Sequence, residues 1–239
     1  MKLLDLTLDD PWSNVALDEA LVEMAETVED HPELLRFWEP RKAIVVLGRS
    51  SPIEAEVDLE TCEQDSVPVV RRASGGATIV TGPGCLMYAV LLDYRRRPEL
   101  RMLEQAHRLV MERLQASLER LGVATRWQGT CDLTCQNRKV SGNALRCKRN
   151  WLVYHGTLLC GMELDLLTRY LGMPRRQPEY RQGRSHEQFV TNLPVTPDAL
   201  KRELARTWGC TGVQSEWPAE MVQRLVDTKY RTAHWLHKV

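Results

Sequence analysis

The chain has 239 residues, enough for one large domain with a complete hydrophobic core or for two small domains. Hydrophobic residues make up 43% and charged residues 27% of the chain, which are ordinary proportions for a soluble globular protein. The formal net charge of zero argues against a general nucleic-acid-binding protein, and no apolar run approaches the roughly 20 residues that cross a bilayer.

The cysteines and the N-terminus indicate the compartment. Seven scattered cysteines, an odd number, fit a reducing cytosol better than a disulfide framework. Residues 1–8 alternate between apolar and polar like a strand and lack the apolar core of a signal peptide. We therefore expect a cytoplasmic protein with neither a membrane nor a nucleic acid as its partner.

The order of predicted elements indicates a mixed α/β chain. Asp10 before Pro11 predicts a helix N-cap with proline at the first helical position, followed by a buried helix over residues 12–28. Further helices are predicted at residues 54–64, 103–122, 164–171, 197–208 and 218–230. Strands are predicted at residues 34–38, 43–47, 67–70, 77–80, 85–92, 123–127, 138–145 and 151–159. Residues 174–192 are irregular, and because no linker divides the chain we expect one domain over residues 1–239.

The segment RRASGGATIV, residues 71–80, is the centre of the functional hypothesis. Two strands around a glycine loop let backbone N–H groups approach a ligand that a Cβ atom would exclude. The arginines supply a positive fork for a carboxylate or a phosphate. A tight hairpin whose arginines face water would give the same pattern, so this segment alone decides nothing.

A metal site is the first alternative to consider. Cys131, Cys135, Cys147 and His155 lie within 25 residues. Their spacing is irregular and matches no paired zinc-ligand motif. We therefore expect no structural metal.

Several motifs, taken together, resemble the lipoate–protein ligase family of the biotin/lipoate ligase and octanoyltransferase superfamily. They are PWSNVALDE (11–19), FW (37–38), VLGR (46–49), RRASGGATIV (71–80), RKVSGNALR (138–146), HGTLL (155–159) and VTNL (190–193). Each motif alone is weak, but their common order and spacing make a specific signal. The resemblance extends over roughly residues 2–235.

The resemblance implies a fold and an activity. The fold is a mixed, largely antiparallel central sheet flanked by helices, with a tunnel for the acyl chain beside the glycine loop. The activity is ATP-dependent conversion of lipoate or octanoate to an acyl-adenylate, with Mg²⁺ on the pyrophosphate, and transfer to a lysine of a lipoyl-accepting domain. The acceptor would be the E2 subunit of a 2-oxoacid dehydrogenase, the glycine cleavage H protein or a similar protein.

The resemblance also implies site residues. Lys139 would contact the acyl carbonyl and the adenylate phosphate as the catalytic residue. The substrate would be bound by motif residues: Trp38, Arg49, Arg72, Ser74, Gly75, Gly76, Ala77, Val80, Asp132, Ser141, Gly142, His155, Gly156 and Thr157. A lysine ammonium, an arginine and loop N–H groups are suitable donors for the charge of a phosphoryl transition state.

Several of these residues have a structural interpretation as well. Ser74 is suited to capping the turn, and Trp38 and Val80 would look the same as ordinary core residues. His155 fits a core histidine as well as a residue lining the site. The basic stretch Arg175, Arg176, Arg181 and Arg184 is either a solvated loop or a surface for phosphates or an acidic acceptor domain.

The sequence departs from the family pattern around the glycine loop. Ala77 and Thr81 replace a third glycine and a later histidine, and residues 81–84 are similar to the HGPG turn of the octanoyltransferase branch. An ATP-independent octanoyl or lipoyl transferase, with Cys131 as the nucleophile of a thioester, therefore remains an alternative. A non-catalytic lipoate-binding module is a second alternative, against which Lys139 and the paired glycines argue. A C-terminal accessory domain is not expected, and a separate accessory protein is a possible partner.

Overall fold

The strands form two sheets. A computed structural model describes residues 1–174 and 176–238; Arg175 and Val239 lie outside the described residues. The strands are β1 (Lys2–Asp5), β2 (Leu34–Trp38), β3 (Ile44–Leu47), β4 (Val69–Arg71), β5 (Ile79–Thr81), β6 (Cys85–Asp93), β7 (Arg126–Gln128), β8 (Asp132–Cys135), β9 (Arg138–Cys147) and β10 (Trp151–Leu159). Seven strands form a sheet in the order β1-β2-β6-β10-β9-β8-β7, and β4-β3-β5 form a second. In the large sheet β1 and β2 run parallel and the other neighbours antiparallel, so the predicted mixed, largely antiparallel sheet is confirmed.

Helices cover both faces of the large sheet. They are α1 (Pro11–Thr27), α2 (Ile53–Glu56), α3 (Leu59–Gln64), α4 (Leu103–Arg120), α5 (Asp165–Tyr170), α6 (His186–Phe189), α7 (Pro197–Thr207), α8 (Ala219–Leu225) and α9 (Ala233–Leu236). A core that includes α1 contains Trp151 and Val153 of β10, whereas a second core that includes α4 and α7 contains Leu152 and Tyr154. Successive residues of a strand point to opposite faces of the sheet. Because both faces are covered here, all residues of β6 and nearly all of β10 are buried, and their sequences are nearly continuous apolar runs.

Local signals at the start of α1 act as predicted. The Asp10 carboxylate accepts the backbone N–H of Ser13 at 2.8 Å, and Pro11 occupies the first helical position. Polar side chains lie on the buried face of this helix beside apolar ones, among them Asn14 and Asp18. Buried polar groups need partners. The Asn14 side chain bonds to the backbone of Leu8, and the partners of Asp18 belong to the site described below.

The structure corrects several predicted boundaries. The acidic helix predicted over residues 54–64 is broken into α2 and α3, because Val57 is extended and bridges Leu171, and Asp58 begins a new helix by accepting the N–H of Thr61. The strand predicted over residues 123–127 is observed as β7, which begins three residues later and ends one residue later. The predicted irregular segment contains α6, which a capping box from Ser185 begins. In the described residues, no helix is of the length and apolarity that a membrane crossing requires.

The glycine loop does not close a hairpin, so the hairpin alternative for this segment is wrong. Val45 of β3 pairs with Val69 of β4 on one side and with Val80 of β5 on the other. The strands on either side of the loop therefore do not pair with each other, and the loop crosses over the end of β3. Pairing between strands that are distant in the sequence is not visible in any local sequence pattern.

Replacing Gly84 by alanine should destabilise the fold strongly. Gly84 has φ +79°, and an added Cβ would lie 2.4 Å from the carbonyl carbon of Gly161. Strain and overpacking together are expected to cost about 2–5 kcal/mol in the free energy of unfolding, measured by urea titration. Gly209→Ala is the matched control, since Gly209 has φ +64° but open space around its Cβ position. Equal losses in the two variants would contradict the steric argument.

Candidate active site

A cavity of about 410 Å³ lies between the glycine loop and the β9–β10 pair, and is called the slot here. Its apolar wall includes Trp38, Val46 and Met87. The predicted site residues that line it are Trp38, Arg72, Gly76, Ala77, Cys131, Asp132, Lys139, Gly142, His155, Gly156 and Thr157. The glycine loop and Lys139, distant in sequence, thus face one space.

Two further cavities adjoin the slot. One of about 140 Å³ shares Ala77, Lys139 and Thr157 with the slot and adds Val80 and Ser141. Another of about 540 Å³ is lined by Gly75, Gly76 and Ala77 together with Ser50, Ser51, Pro52, Glu56, Pro174 and Arg176. Arg176 lines all three cavities. The glycine loop therefore lies between the slot and this second cavity.

The Arg72 guanidinium forms hydrogen bonds to the glycine loop itself and is not a free pair of donors for a ligand. It donates to the carbonyl oxygens of Gly75 at 2.6 Å and Ala77 at 2.9 Å, and also to Val46 O and Ser74 Oγ. Both Arg71 and Arg72 are buried, so the alternative of arginines facing water is excluded. Arg72 thus occupies two carbonyl oxygens of the loop. Separately, no acceptor among the described residues takes the N–H groups of residues 75–77. Backbone N–H groups without a protein acceptor are potential donors to an anion.

Lys139 folds back towards the slot because Gly142 leaves room for it. A Cβ at Gly142 would lie 2.8 Å from Lys139 Nζ. The Lys139 ammonium is 2.8 Å from Asp132 Oδ1, and the Tyr180 hydroxyl donates to Asp132 Oδ2 at 2.7 Å. Gly156 is also sterically required, because its Cβ would fall 1.9 Å from Asn143 Oδ1. The glycines of these motifs thus set how closely the strands approach the slot.

A chain of buried hydrogen bonds joins α1 to the glycine loop. Ser74 Oγ is 2.6 Å from His155 Nε2, and His155 Nδ1 is 2.7 Å from Asp18 Oδ2. Asp18 Oδ1 accepts from the Arg36 guanidinium at 2.5 Å. Burial alone would raise the pKa of Asp18, but the Arg36 charge and the His155 hydrogen bond hold it below its ordinary value. Ser74 is 3% exposed and is not among the residues lining the slot, so this chain shapes the loop and offers no accessible nucleophile.

Cys131 lines the slot but is a protonated thiol. Its Sγ donates to Asn143 O at 2.9 Å, and burial raises its pKa to about 11. A cysteine nucleophile reacts as the thiolate, and the raised pKa disfavours that form at neutral pH. Among the described residues, no group of three or more His, Cys, Asp or Glu side chains is placed to hold a metal ion.

Arg49 lies away from the slot, and the residues of the basic stretch differ in their placement. Arg49 is exposed and contributes its backbone N–H to Ser74 O at 2.8 Å. In the basic stretch, Arg181 and Arg184 lie over the Phe189 ring, and Arg184 also donates to Asn137 O. Arg176 lines all three cavities, and Arg181 lines the cavity of about 140 Å³. Arg175 lies outside the described residues.

Sequence reasoning missed Asp18, Tyr180 and Asn143. Asp18 and Asn14 fall on the buried stripe of α1, and a polar residue on an apolar helix face is a signal that could have identified both. Asn143 lay inside a quoted motif, but nothing local shows that its amide donates to Cys131 O at 2.7 Å. Tyr180 is 48 residues from Asp132 and carries no local signal.

A family profile described as the lipoyl protein ligase A/B catalytic domain matches residues 10–206. A Mycoplasma pneumoniae relative named lipoate-protein ligase A is 28% identical over 183 residues, covering 77% of this chain and 52% of the relative. An Aeropyrum pernix relative with the same name is 30% identical over 200 residues, covering 84% of this chain and 70% of the relative. The chain thus spans about half the length of the first relative.

Solved structures share the fold. A lipoate protein ligase of Thermoplasma acidophilum with bound lipoic acid gives a TM-score of 0.82 at 21% identity, covering 100% of this chain and 99% of that chain. A bipartite lipoate protein ligase, described with its E2 lipoyl domain from the same organism, gives 0.82 at 22%, with 100% and 96% covered. A lipoate-protein ligase A bound with ATP gives 0.81 at 21%, with 99% and 98% covered.

Asp18→Asn should destabilise the protein by about 3 kcal/mol or more, because it leaves the fully buried Arg36 guanidinium without a counter-charge. The folded-state pKa of Asp18 is lowered, so its carboxylate contributes stability above its unfolded pKa of about 3.9 and loses it as pH falls through the folded pKa. Urea titrations between pH 7 and pH 3 should therefore show a flatter stability profile in the variant.

The control is Asp9→Asn, which removes the charge from an exposed pair with Arg41. An exposed pair contributes at most about 1 kcal/mol, so this variant should remain close to the wild type. A loss in Asp18→Asn no greater than in the control would contradict the buried-pair argument.

Proposed function

The chain belongs to the lipoyl protein ligase A/B catalytic domain family, as the order of its motifs predicts, and from that premise we propose that it is a lipoate–protein ligase. It activates lipoate or octanoate with ATP to an acyl-adenylate and transfers the acyl group to a lysine of a lipoyl-accepting domain. The observation that carries this proposal is that Lys139 and the glycine loop line the same slot, whose wall includes Trp38 and Met87. The ATP-bound and lipoate-bound structures of similar fold support the two substrates.

In the first half-reaction a carboxylate oxygen attacks the α-phosphorus of ATP and pyrophosphate leaves. Negative charge collects on the non-bridging oxygens of the transition state, so cationic and N–H donors accelerate the step. The Lys139 ammonium and the N–H groups of Gly76 and Ala77, residues that line the same slot, are donors of this kind. Mg²⁺ would neutralise the phosphates and needs few protein carboxylates, because it retains waters and phosphate ligands.

The apolar wall of the slot suits the acyl chain. Trp38, Val46 and Met87 would exclude water from a saturated chain and hold its carboxylate near Lys139. Ala77 stands where relatives of the ligase branch carry a third glycine, and it lines all three cavities. Its methyl group therefore limits how closely a nucleotide phosphate approaches this part of the loop.

In the second half-reaction the neutral acceptor amine attacks the acyl carbon and AMP leaves. The mixed anhydride is already reactive, so positioning supplies much of the rate. Asp132, between Lys139 and Tyr180, is the carboxylate available to orient an incoming lysine. The acceptor would be a lipoyl domain of an E2 subunit or a glycine cleavage H protein, and the bipartite ligase of similar fold supports a separate accessory protein as a further partner.

Lys139→Ala should reduce lipoate-dependent ATP–pyrophosphate exchange by about 100-fold or more, because it removes the cationic donor facing the glycine loop. Lys201→Ala is the matched control, since Lys201 pairs with Asp5 at 2.9 Å on another part of the surface. Retained exchange in Lys139→Ala would contradict the assigned role. Absence of exchange in the wild type, with lipoate still bound, would favour the non-catalytic module.

Cys131→Ala should leave the exchange rate within about threefold of wild type, because the raised pKa of this thiol leaves almost no thiolate. The transferase alternative makes the opposite prediction. It requires ATP-free transfer from an octanoyl carrier protein that is lost in Cys131→Ala, and that result would overturn the ligase proposal.

A further inference from the structure

The Tyr180 hydroxyl reaches the site from outside the motifs. Tyr180 lies in the 3₁₀ turn Glu179–Arg181, and its hydroxyl donates to Asp132 Oδ2 at 2.7 Å. Burial raises the pKa of Tyr180 well above its ordinary value, so the phenol remains protonated and acts as a donor. The other oxygen of Asp132 accepts from the Lys139 ammonium at 2.8 Å. Asp132 is thus held between a neutral donor and a cation.

The tyrosine is fixed independently of Asp132. Arg184 Nη2 donates to Tyr180 O at 2.7 Å, and Arg184 Nη1 donates to Asn137 O at 2.9 Å. The Tyr180 ring packs against the Phe189 ring with centroids 5.2 Å apart. A Cβ at Gly129 would lie 3.5 Å from the Tyr180 ring, so the turn between β7 and β8 also approaches it closely. The hydroxyl therefore has a defined place even when the carboxylate is free to move.

An acyl-adenylate in the slot would compete for the lysine. Its phosphate is an anion and would draw the Lys139 ammonium, which has three donors, away from Asp132 Oδ1. An unanchored Asp132 side chain would follow the ammonium, and the two negative groups would then lie close together. If Tyr180 holds Oδ2, the Asp132 carboxylate stays in place when the ammonium moves. Its Oδ1 is then free to accept from the amine of the acceptor lysine.

We propose that Tyr180 is a positioning residue for amide formation, which anchors Asp132 so that its free oxygen orients the acceptor lysine. This inference rests on the proposed ligase function and assigns to Tyr180 a role in the second half-reaction only. A hydrogen bond to a charged group contributes about 1.5–3 kcal/mol, which corresponds to roughly a 10- to 100-fold effect on rate. The first half-reaction does not use the anchor.

The test separates the two half-reactions in Tyr180→Phe, which keeps the ring. Single-turnover transfer from preformed lipoyl-adenylate to an isolated lipoyl domain should slow by about 10-fold or more. The acceptor concentration for half-maximal rate and the ATP–pyrophosphate exchange should stay within about threefold. Tyr170→Phe is the matched control, because Tyr170 donates to Asp65 at 2.8 Å beside Arg169, a similar tyrosine–carboxylate–cation group at another site.

A double-mutant cycle with Asp132→Asn shows whether Tyr180 acts through Asp132. In the Asp132→Asn background, Tyr180→Phe should change the transfer rate by less than about twofold. Additive losses, an equal loss of exchange and transfer, or wild-type transfer in Tyr180→Phe would each overturn the inference while leaving the ligase function intact. Loss of both half-reactions in the wild type itself would instead overturn the proposed function.

Discussion

Hydrogen bonding from the buried Arg72 guanidinium to the glycine loop is the interaction on which the rest of the site depends. The two glycines of the loop leave its backbone conformation free, so contacts from outside the loop must fix that conformation. Hydrogen bonds to Gly75 O and Ala77 O draw the carbonyls to that side. The backbone N–H groups of the loop are then left for a ligand. Because arginine stays protonated at neutral pH, this arrangement does not change with the charge state of the ligand.

Two further constraints hold the loop in position against the sheet. A Cβ atom at Gly48 would lie 1.8 Å from Gly76 O, so the chain after β3 can approach the loop this closely only because Gly48 has no side chain. On the other side, Ser74 is tied to Asp18 of α1 through His155. Arg36 neutralises the buried carboxylate, which would otherwise be costly to keep ionised there. The first motif of the chain thus acts on the loop through charge and hydrogen bonding over a long sequence separation.

The parts of the fold that the sequence predicts are those set by local rules. The N-cap at Asp10 and the apolar runs of β6 and β10 depend on neighbouring residues, and the predicted and observed bounds agree closely. Strand pairing is a long-range choice, and the insertion of β3 between β4 and β5 follows from no local pattern. The same division applies to the site. The Lys139–Gly142 motif marks the place of the lysine, whereas the direction of the Arg72 guanidinium and the approach of Tyr180 depend on packing.

The charge states around the slot distinguish two kinds of acyl transfer. A thioester route needs a thiolate at Cys131, and that anion would compete with a phosphate for the Lys139 ammonium. Burial raises the pKa of this thiol and so favours its neutral form, which leaves the ammonium and the loop N–H groups available to an anion. Two carboxylates among the described residues line the slot. Asp18 is paired with Arg36, and Asp132 is held by the neutral Tyr180 phenol at the oxygen away from the ammonium. On electrostatic grounds this distribution of charge supports the proposed adenylation over the thioester route.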